Sequence, residues 1–152
     1  MALQVLSPMS GRVAPLAEVP DPMFAEAMLG PGLALDPPRA KVTVSAPIAG
    51  RIASLFPHAV GIEAEDGGYS ILVHLGIETV QLNGEHFTVL KAKGDIVAAG
   101  EPVIEWDPAA IEAGGLAVIT PVIAIQAESA AITQLVEPGT QVEAGTPVFE
   151  VA

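Results

Sequence analysis

Three histidines and no cysteine set the terms of any covalent chemistry in this chain. The missing thiol excludes a cysteine nucleophile, a thiolate metal site and a disulfide scaffold, and leaves imidazole as the most readily tuned nucleophile. His74 sits in Ser70-Ile71-Leu72-Val73-His74-Leu75-Gly76-Ile77-Glu78, at the end of an apolar run with Gly two positions later. Such a side chain projects from a sheet rim with backbone amides close by, the groups that hold phosphate oxygens. Taken alone, a histidine of this kind is more often a rim residue satisfied by one hydrogen bond. The same holds for His58, in Phe56-Pro57-His58-Ala59-Val60, sixteen positions earlier. His86, in Gly84-Glu85-His86-Phe87, reads as a solvated loop residue with no assigned role. Two histidines fall short of the three protein ligands of a catalytic zinc, so His58 and His74 would hold a metal only if a partner supplied a carboxylate.

The element that must position the two imidazoles is a β-hairpin. Val60, Ile62 and Ala64 alternate on one arm and Tyr69, Ile71 and Val73 on the other, around Glu65-Asp66-Gly67-Gly68. A register centred on Asp66, with a loop of three or five residues, makes the histidines face each other about 4.5–5.5 Å apart at Cβ. A two-residue loop at Asp66-Gly67 shifts the register by one and sends them to opposite faces. The sequence leaves both registers open. Elsewhere, Gln4 to Pro8, Val42 to Ala46, Ile48 to Ile52 and Ile119 to Ile125 read as strand segments. Met23 to Leu29 and Pro108 to Ala113 read as short helical turns, the first stopped by Gly30-Pro31-Gly32. The stretch Lys93-Gly94-Asp95-Ile96-Val97-Ala98-Ala99-Gly100-Glu101-Pro102-Val103-Ile104-Glu105 recurs 45 residues later as Pro138 to Glu150. Gly, Val, Ala, Gly, Pro, Val and Glu return in place, which predicts an architecture with two related halves.

Composition agrees with that reading. Hydrophobic residues make up 51% of the 152 residues but aromatic ones only 4%, so Val, Ile, Leu and Ala must build the core. Gly and Pro are scattered without a period, which predicts many turns in one all-β domain spanning residues 1–152. The formal charge is −12 with six basic residues in total, which argues against nucleic-acid binding and permits attraction of a basic protein partner. No apolar run approaches the roughly 18–20 residues of a membrane span, so no direct membrane insertion is expected. The N-terminus lacks the basic flank and apolar stretch of a secretory signal, so the cytoplasm is the expected compartment.

The run Val73-His74-Leu75-Gly76-Ile77-Glu78-Thr79-Val80-Gln81-Leu82-Asn83-Gly84-Glu85 resembles the active-site signature of the glucose-type enzyme IIA domains of the bacterial sugar phosphotransferase system. Ser7-Pro8 to Val13, Val19-Pro20-Asp21, Phe24-Ala25-Glu26, Gly30, Gly32, Ser45-Ala46-Pro47, Gly50, His58-Ala59 and Pro147-Val148 follow as landmarks in the family's order. The resemblance implies a flattened antiparallel β-sandwich of two related halves. It implies that His74 is the phosphorylated residue and His58 its phosphate-stabilising partner, with no cofactor required. Asp21 and Glu78 match acidic positions flanking the site. Met23, Phe24, Leu29, Gly76 and Val80 fall in the surface that meets partners, namely the phosphocarrier HPr as donor and the IIB domain of a permease as acceptor. Regulatory protein targets would be further partners. Two residues depart from the usual pattern: Glu78 where many members have Asp, and Phe56 where many have a hydroxyl residue.

The physical requirement for such a carrier is a neutral imidazole at cytoplasmic pH. A second imidazole nearby disfavours protonation of both rings, and a backbone carbonyl on one nitrogen fixes the tautomer. Three other readings compete. A biotinyl or lipoyl carrier would modify a lysine at a hairpin tip, but Lys41, Lys91 and Lys93 lack the expected setting. A zinc peptidase would need His and Asp four apart and a His-x-His, both missing here. A non-catalytic regulatory binding protein would use the acidic surface alone.

Overall fold

The computed structural model describes residues 2–152. Its first half supplies β1 (Leu3–Leu6), β2 (Gly11–Ala14), α1 (Pro22–Ala25), β3 (Gly32–Asp36), β4 (Val42–Ser45), β5 (Gly50–Phe56), β6 (Ala59–Ala64) and β7 (Ser70–His74). The second half supplies β8 (Phe87–Val89), β9 (Ile96–Val97), β10 (Pro102–Trp106), α2 (Pro108–Ala113), β11 (Thr120–Ala124), β12 (Ile132–Gln134), β13 (Gln141–Val142) and β14 (Pro147–Val151). Every strand pairing is antiparallel, and the two helices are a turn or so long. The all-β sandwich expected from the sequence is the fold observed.

An eight-stranded sheet, in the order β13-β2-β3-β11-β7-β6-β5-β9, lies against two three-stranded sheets, β1-β14-β12 and β4-β10-β8. The main apolar cluster draws on all three: Val5, Phe149 and Val151 from one small sheet, Val44, Ile104 and Trp106 from the other, and Val13, Leu35, Ile62, Val73 and Val122 from the large one. Side chains alternate across a strand, and here the alternation feeds two cores. Val13, Leu33, Ile71, Val73 and Val122 point into the main cluster. Their neighbours Ala14, Ala34, Leu72 and Ile123 point the other way, into a smaller cluster capped by Leu16, Val19, Phe24 and Ile77. The middle of the large sheet is therefore buried on both faces, and its outer face carries the site.

The duplication runs further than the 45-residue repeat. β8, β9 and β10 recur as β12, β13 and β14, and each triplet joins one small sheet to one edge of the large one. Leu3 to Ala14 also matches Val42 to Ala53 at an offset of 39, with Val5/Val44, Pro8/Pro47, Gly11/Gly50, Arg12/Arg51 and Ala14/Ala53 shared. The halves interlock reciprocally: the Leu6 amide donates to the Pro47 carbonyl at 2.9 Å, and the Ser45 amide to the Pro8 carbonyl at 2.7 Å. Val73 pairs with Val122 where β7 meets β11, at the middle of the large sheet.

Both helical turns form near the predicted positions because each has an N-cap acid followed by Pro at the first helical position. Asp21 accepts from the Met23 amide at 3.0 Å and Asp107 from the Ala110 amide at 3.2 Å. The first is shorter than predicted, closing after Ala25. No helix among the described residues is long and apolar enough to cross a membrane.

Candidate functional site

His74 is the last residue of β7, and its ring leaves the sheet on the face of the smaller cluster, beside Phe24. Phe24 is pinned under that face by α1, whose cap is Asp21. His58 occupies the two-residue turn Pro57-His58 between β5 and β6, where Phe56 pairs with Ala59. The two imidazole centroids lie 5.2 Å apart, edge to face at 75°.

They meet by a route other than the favourable register. β6 and β7 pair Ala59 with His74, Val60 with Val73 and Ile62 with Ile71, and the loop is the four residues Glu65 to Gly68. This is the register associated above with opposite faces, so direct cross-strand facing is corrected. His58 escapes the alternation because it lies in a turn rather than on a strand. Its carbonyl still accepts from the Leu75 amide at 2.8 Å, while its side chain swings over to His74.

The chain then leaves β7 through a tightly tied loop. His74 Nδ1 lies 2.6 Å from the Gly76 carbonyl oxygen. A carbonyl only accepts, so Nδ1 carries the proton and Nε2 keeps its lone pair. Gly76 has φ +77, and a Cβ there would lie 2.7 Å from both the Ala117 carbonyl oxygen and Cγ2 of Thr79. The Ile77 amide donates to that same Ala117 carbonyl at 3.0 Å. Glu78 follows in a left-handed conformation, φ +62, on the exposed surface.

Both site histidines are held below the usual imidazole range near 6.5. For His74 burial is the main cause, opposed by the hydrogen bond to Gly76 and by the negative charge of Asp21. For His58 burial leads and the neighbouring His74 adds to it. The mutual repulsion expected from the sequence thus acts on His58, while desolvation dominates at both. Asp21 is the acid whose field reaches His74; Glu78 makes no hydrogen bond or ion pair through its carboxylate among the described residues.

Phe56, one of the two departures from the expected pattern, packs its ring against His58 with centroids 5.9 Å apart. Among the described residues no protein group hydrogen-bonds the His58 ring, so aromatic contact replaces polar anchoring. Of the anticipated partner surface, Met23 is 47% exposed and Val80 61%. Leu29 is half-buried against the smaller cluster and Gly76 is buried. Phe24 is only 4% exposed, so its ring supports His74 from below instead of forming part of the rim. Met28 and Phe56, which the sequence reading left out of this surface, are 68% and 56% exposed. Thr79 was also overlooked as a site residue, although it stands in the signature. It is buried and donates to the Leu75 carbonyl at 2.7 Å. No third His, Cys, Asp or Glu among the described residues joins the two histidines in a metal-binding group.

Comparison with known proteins decides the family. Residues 3–130 match the family described as phosphoenolpyruvate-dependent sugar phosphotransferase system, EIIA 1. The chain belongs to this family. A glucose-specific EIIA component from Staphylococcus aureus is 35% identical over 151 residues, covering 98% of this chain and 89% of the relative. Its counterpart from Staphylococcus epidermidis is 33% identical over the same span. Among solved structures, the glucose permease IIA from Mycoplasma capricolum superposes with a TM-score of 0.86 at 30% identity, covering 99% of this chain and 96% of that one. As an EIIA member, this chain is a phosphoryl carrier in sugar uptake.

Proposed function

We propose that Nε2 of His74 accepts a phosphoryl group from phosphorylated HPr and passes it to the IIB domain of a sugar permease. One observation carries this reading. Nδ1 is tied to the Gly76 carbonyl at 2.6 Å while a second imidazole stands 5.2 Å away, centre to centre. The bond to Gly76 leaves one nucleophilic nitrogen, and burial keeps it unprotonated near neutral pH. On uptake the donor's N–P bond breaks as the Nε2–P bond forms; on onward transfer the Nε2–P bond breaks as phosphorus bonds to a nucleophile of IIB. The protein's task is positioning and charge stabilisation. His58, whose ring has no protein hydrogen bond among the described residues, donates to a phosphoryl oxygen, and the step calls for no resident cofactor.

Met23, Met28, Phe56 and Val80 are exposed apolar side chains suited to brief docking, with Asp21 and Glu78 offering charge to a basic partner face. On this reading the chain belongs to the cytoplasm, where such a relay would work. The names of the relatives make glucose the first sugar to test. The test is a relay rebuilt from HPr, its phosphorylating enzyme, this chain and membranes holding a IIB-bearing glucose permease. Sugar phosphate should form only when the chain is added and should fail with His74→Gln. Formation at the same rate without the chain, or with that variant, would contradict the proposal.

A further inference from the structure

The loop that leaves β7 raises a question the histidines do not answer: what holds the Gly76 carbonyl on Nδ1? Two left-handed residues, Gly76 and Glu78, flank Ile77 within three positions. The Ile77 amide ties the Gly76-Ile77 peptide to the Ala117 carbonyl at 3.0 Å, and the preceding Leu75-Gly76 peptide needs its own anchor. The Leu75 carbonyl, on the N-terminal side of Gly76, receives no backbone amide among the described residues and is reached by the Thr79 hydroxyl at 2.7 Å. The Thr79 methyl lies flush against Gly76, since a Cβ on that glycine would meet Cγ2 at 2.7 Å. Thr79 is 1% exposed, buried between its exposed chain neighbours Glu78 and Val80.

We propose that Thr79 is the positioning residue for the reacting imidazole: hydroxyl and methyl together clamp the Leu75-Gly76 peptide, and that clamp fixes the His74 tautomer. Each arm of the side chain has its own task. The hydroxyl satisfies a buried carbonyl that would otherwise turn toward another donor. The methyl fills the space beside Gly76 and blocks the peptide from rotating into it. Valine keeps the methyl contact and loses the hydroxyl; serine keeps the hydroxyl and loses the methyl. No hydrogen bond joins Thr79 to His74 among the described residues, so its effect passes through the Leu75-Gly76 peptide.

The inference deepens the phosphocarrier reading, but its main test needs no phosphoryl donor. In the ¹⁵N-labelled full chain, imidazole nitrogen shifts report which nitrogen of His74 holds the proton. The unaltered protein should show an Nδ1–H tautomer and a slowly exchanging Thr79 hydroxyl proton. Thr79→Val should give a mixture of tautomers and accept phosphoryl from HPr roughly tenfold more slowly or worse. Thr79→Ser should recover most of the Nδ1–H tautomer, with a smaller second population where the methyl is missing. A folded Thr79→Val protein with an unchanged His74 tautomer would overturn the proposal. Should that variant fail to fold, the hydroxyl proton of the unaltered protein decides: rapid exchange with solvent overturns the clamp and slow exchange supports it. Failure of phosphoryl uptake with an intact tautomer signature would count against the carrier reading alone.

Discussion

At the scale of single residues, the proposed chemistry depends on keeping two imidazoles neutral. Both site histidines sit below 6.5 chiefly because burial penalises their charged forms. Phosphoryl acceptance should therefore be flat above about pH 6.5 and fall only at lower pH, as His74 titrates. Proton NMR titration of the ring should give a midpoint below the free-imidazole value, and one above it would contradict this account. Stability follows the same sign. The unfolded chain binds protons more readily at these two positions, so stability rises with pH. The contribution is complete above about 6.5 and is lost as pH falls through the lowered folded values. Urea midpoints of a His58→Gln/His74→Gln double variant should accordingly change less between pH 7.5 and 5.5, values chosen to bracket about 6.5, than those of the unaltered protein. His58 also carries a kinetic expectation. His58→Gln should still accept phosphate but release it to IIB poorly, because an amide donates one hydrogen bond without moving charge. Unchanged rates in both half-reactions would show that His58 only packs.

At the scale of elements, the site is a β-strand end, a hairpin turn and a strained loop brought to one sheet face. Gly76→Ala probes the loop. A Cβ would meet the Ala117 carbonyl and the Thr79 methyl at 2.7 Å, on a residue at φ +77. Loss of at least about 1–3 kcal/mol is expected, measured by denaturant unfolding, with weaker phosphoryl uptake by the folded fraction. Much at this scale was legible from residues alone. The stretch Pro108 to Ala113 reads as a short helical turn and is α2, and the apolar run from Ile119 contains β11. The hairpin register was not legible. Asp-Gly is a strong turn signal, but the four-residue loop is decided by local bonds such as Gly68 amide to Asp66 carboxylate, 2.8 Å. β3 was also hidden, because Gly30-Pro31-Gly32 reads as a helix stop while Gly32 in fact begins a strand pressed against Val122. The histidine pair survived the wrong register only because His58 lies in a turn.

At the scale of the whole molecule, two halves close around one main core, and the histidine pair lies on the face of the smaller cluster. The 45-residue repeat was readable, whereas the 39-residue match was masked by conservative swaps such as Ile52 for Val13. Charge acts at this scale too. Arg39, Arg51 and Lys91, half of the six basic residues, are tied to carboxylates at Asp36 and Glu112, Glu63, and Glu101. The field left for partners is acidic and should speed encounter with a basic HPr face. Asp21→Asn tests this cleanly, because Asn caps a helix about as well as Asp and removes only the charge. Association should slow and its salt dependence flatten, while Met28→Ala should chiefly speed dissociation. Stopped-flow binding at two salt concentrations separates the two; association indifferent to both salt and Asp21 would end the steering idea. The most direct measurement is the intact mass of this chain after incubation with phosphorylated HPr, beside His74→Gln. The account predicts one acid-labile, alkali-stable phosphoryl group on the unaltered chain and none on the folded variant. A phosphoryl group retained by folded His74→Gln would contradict it.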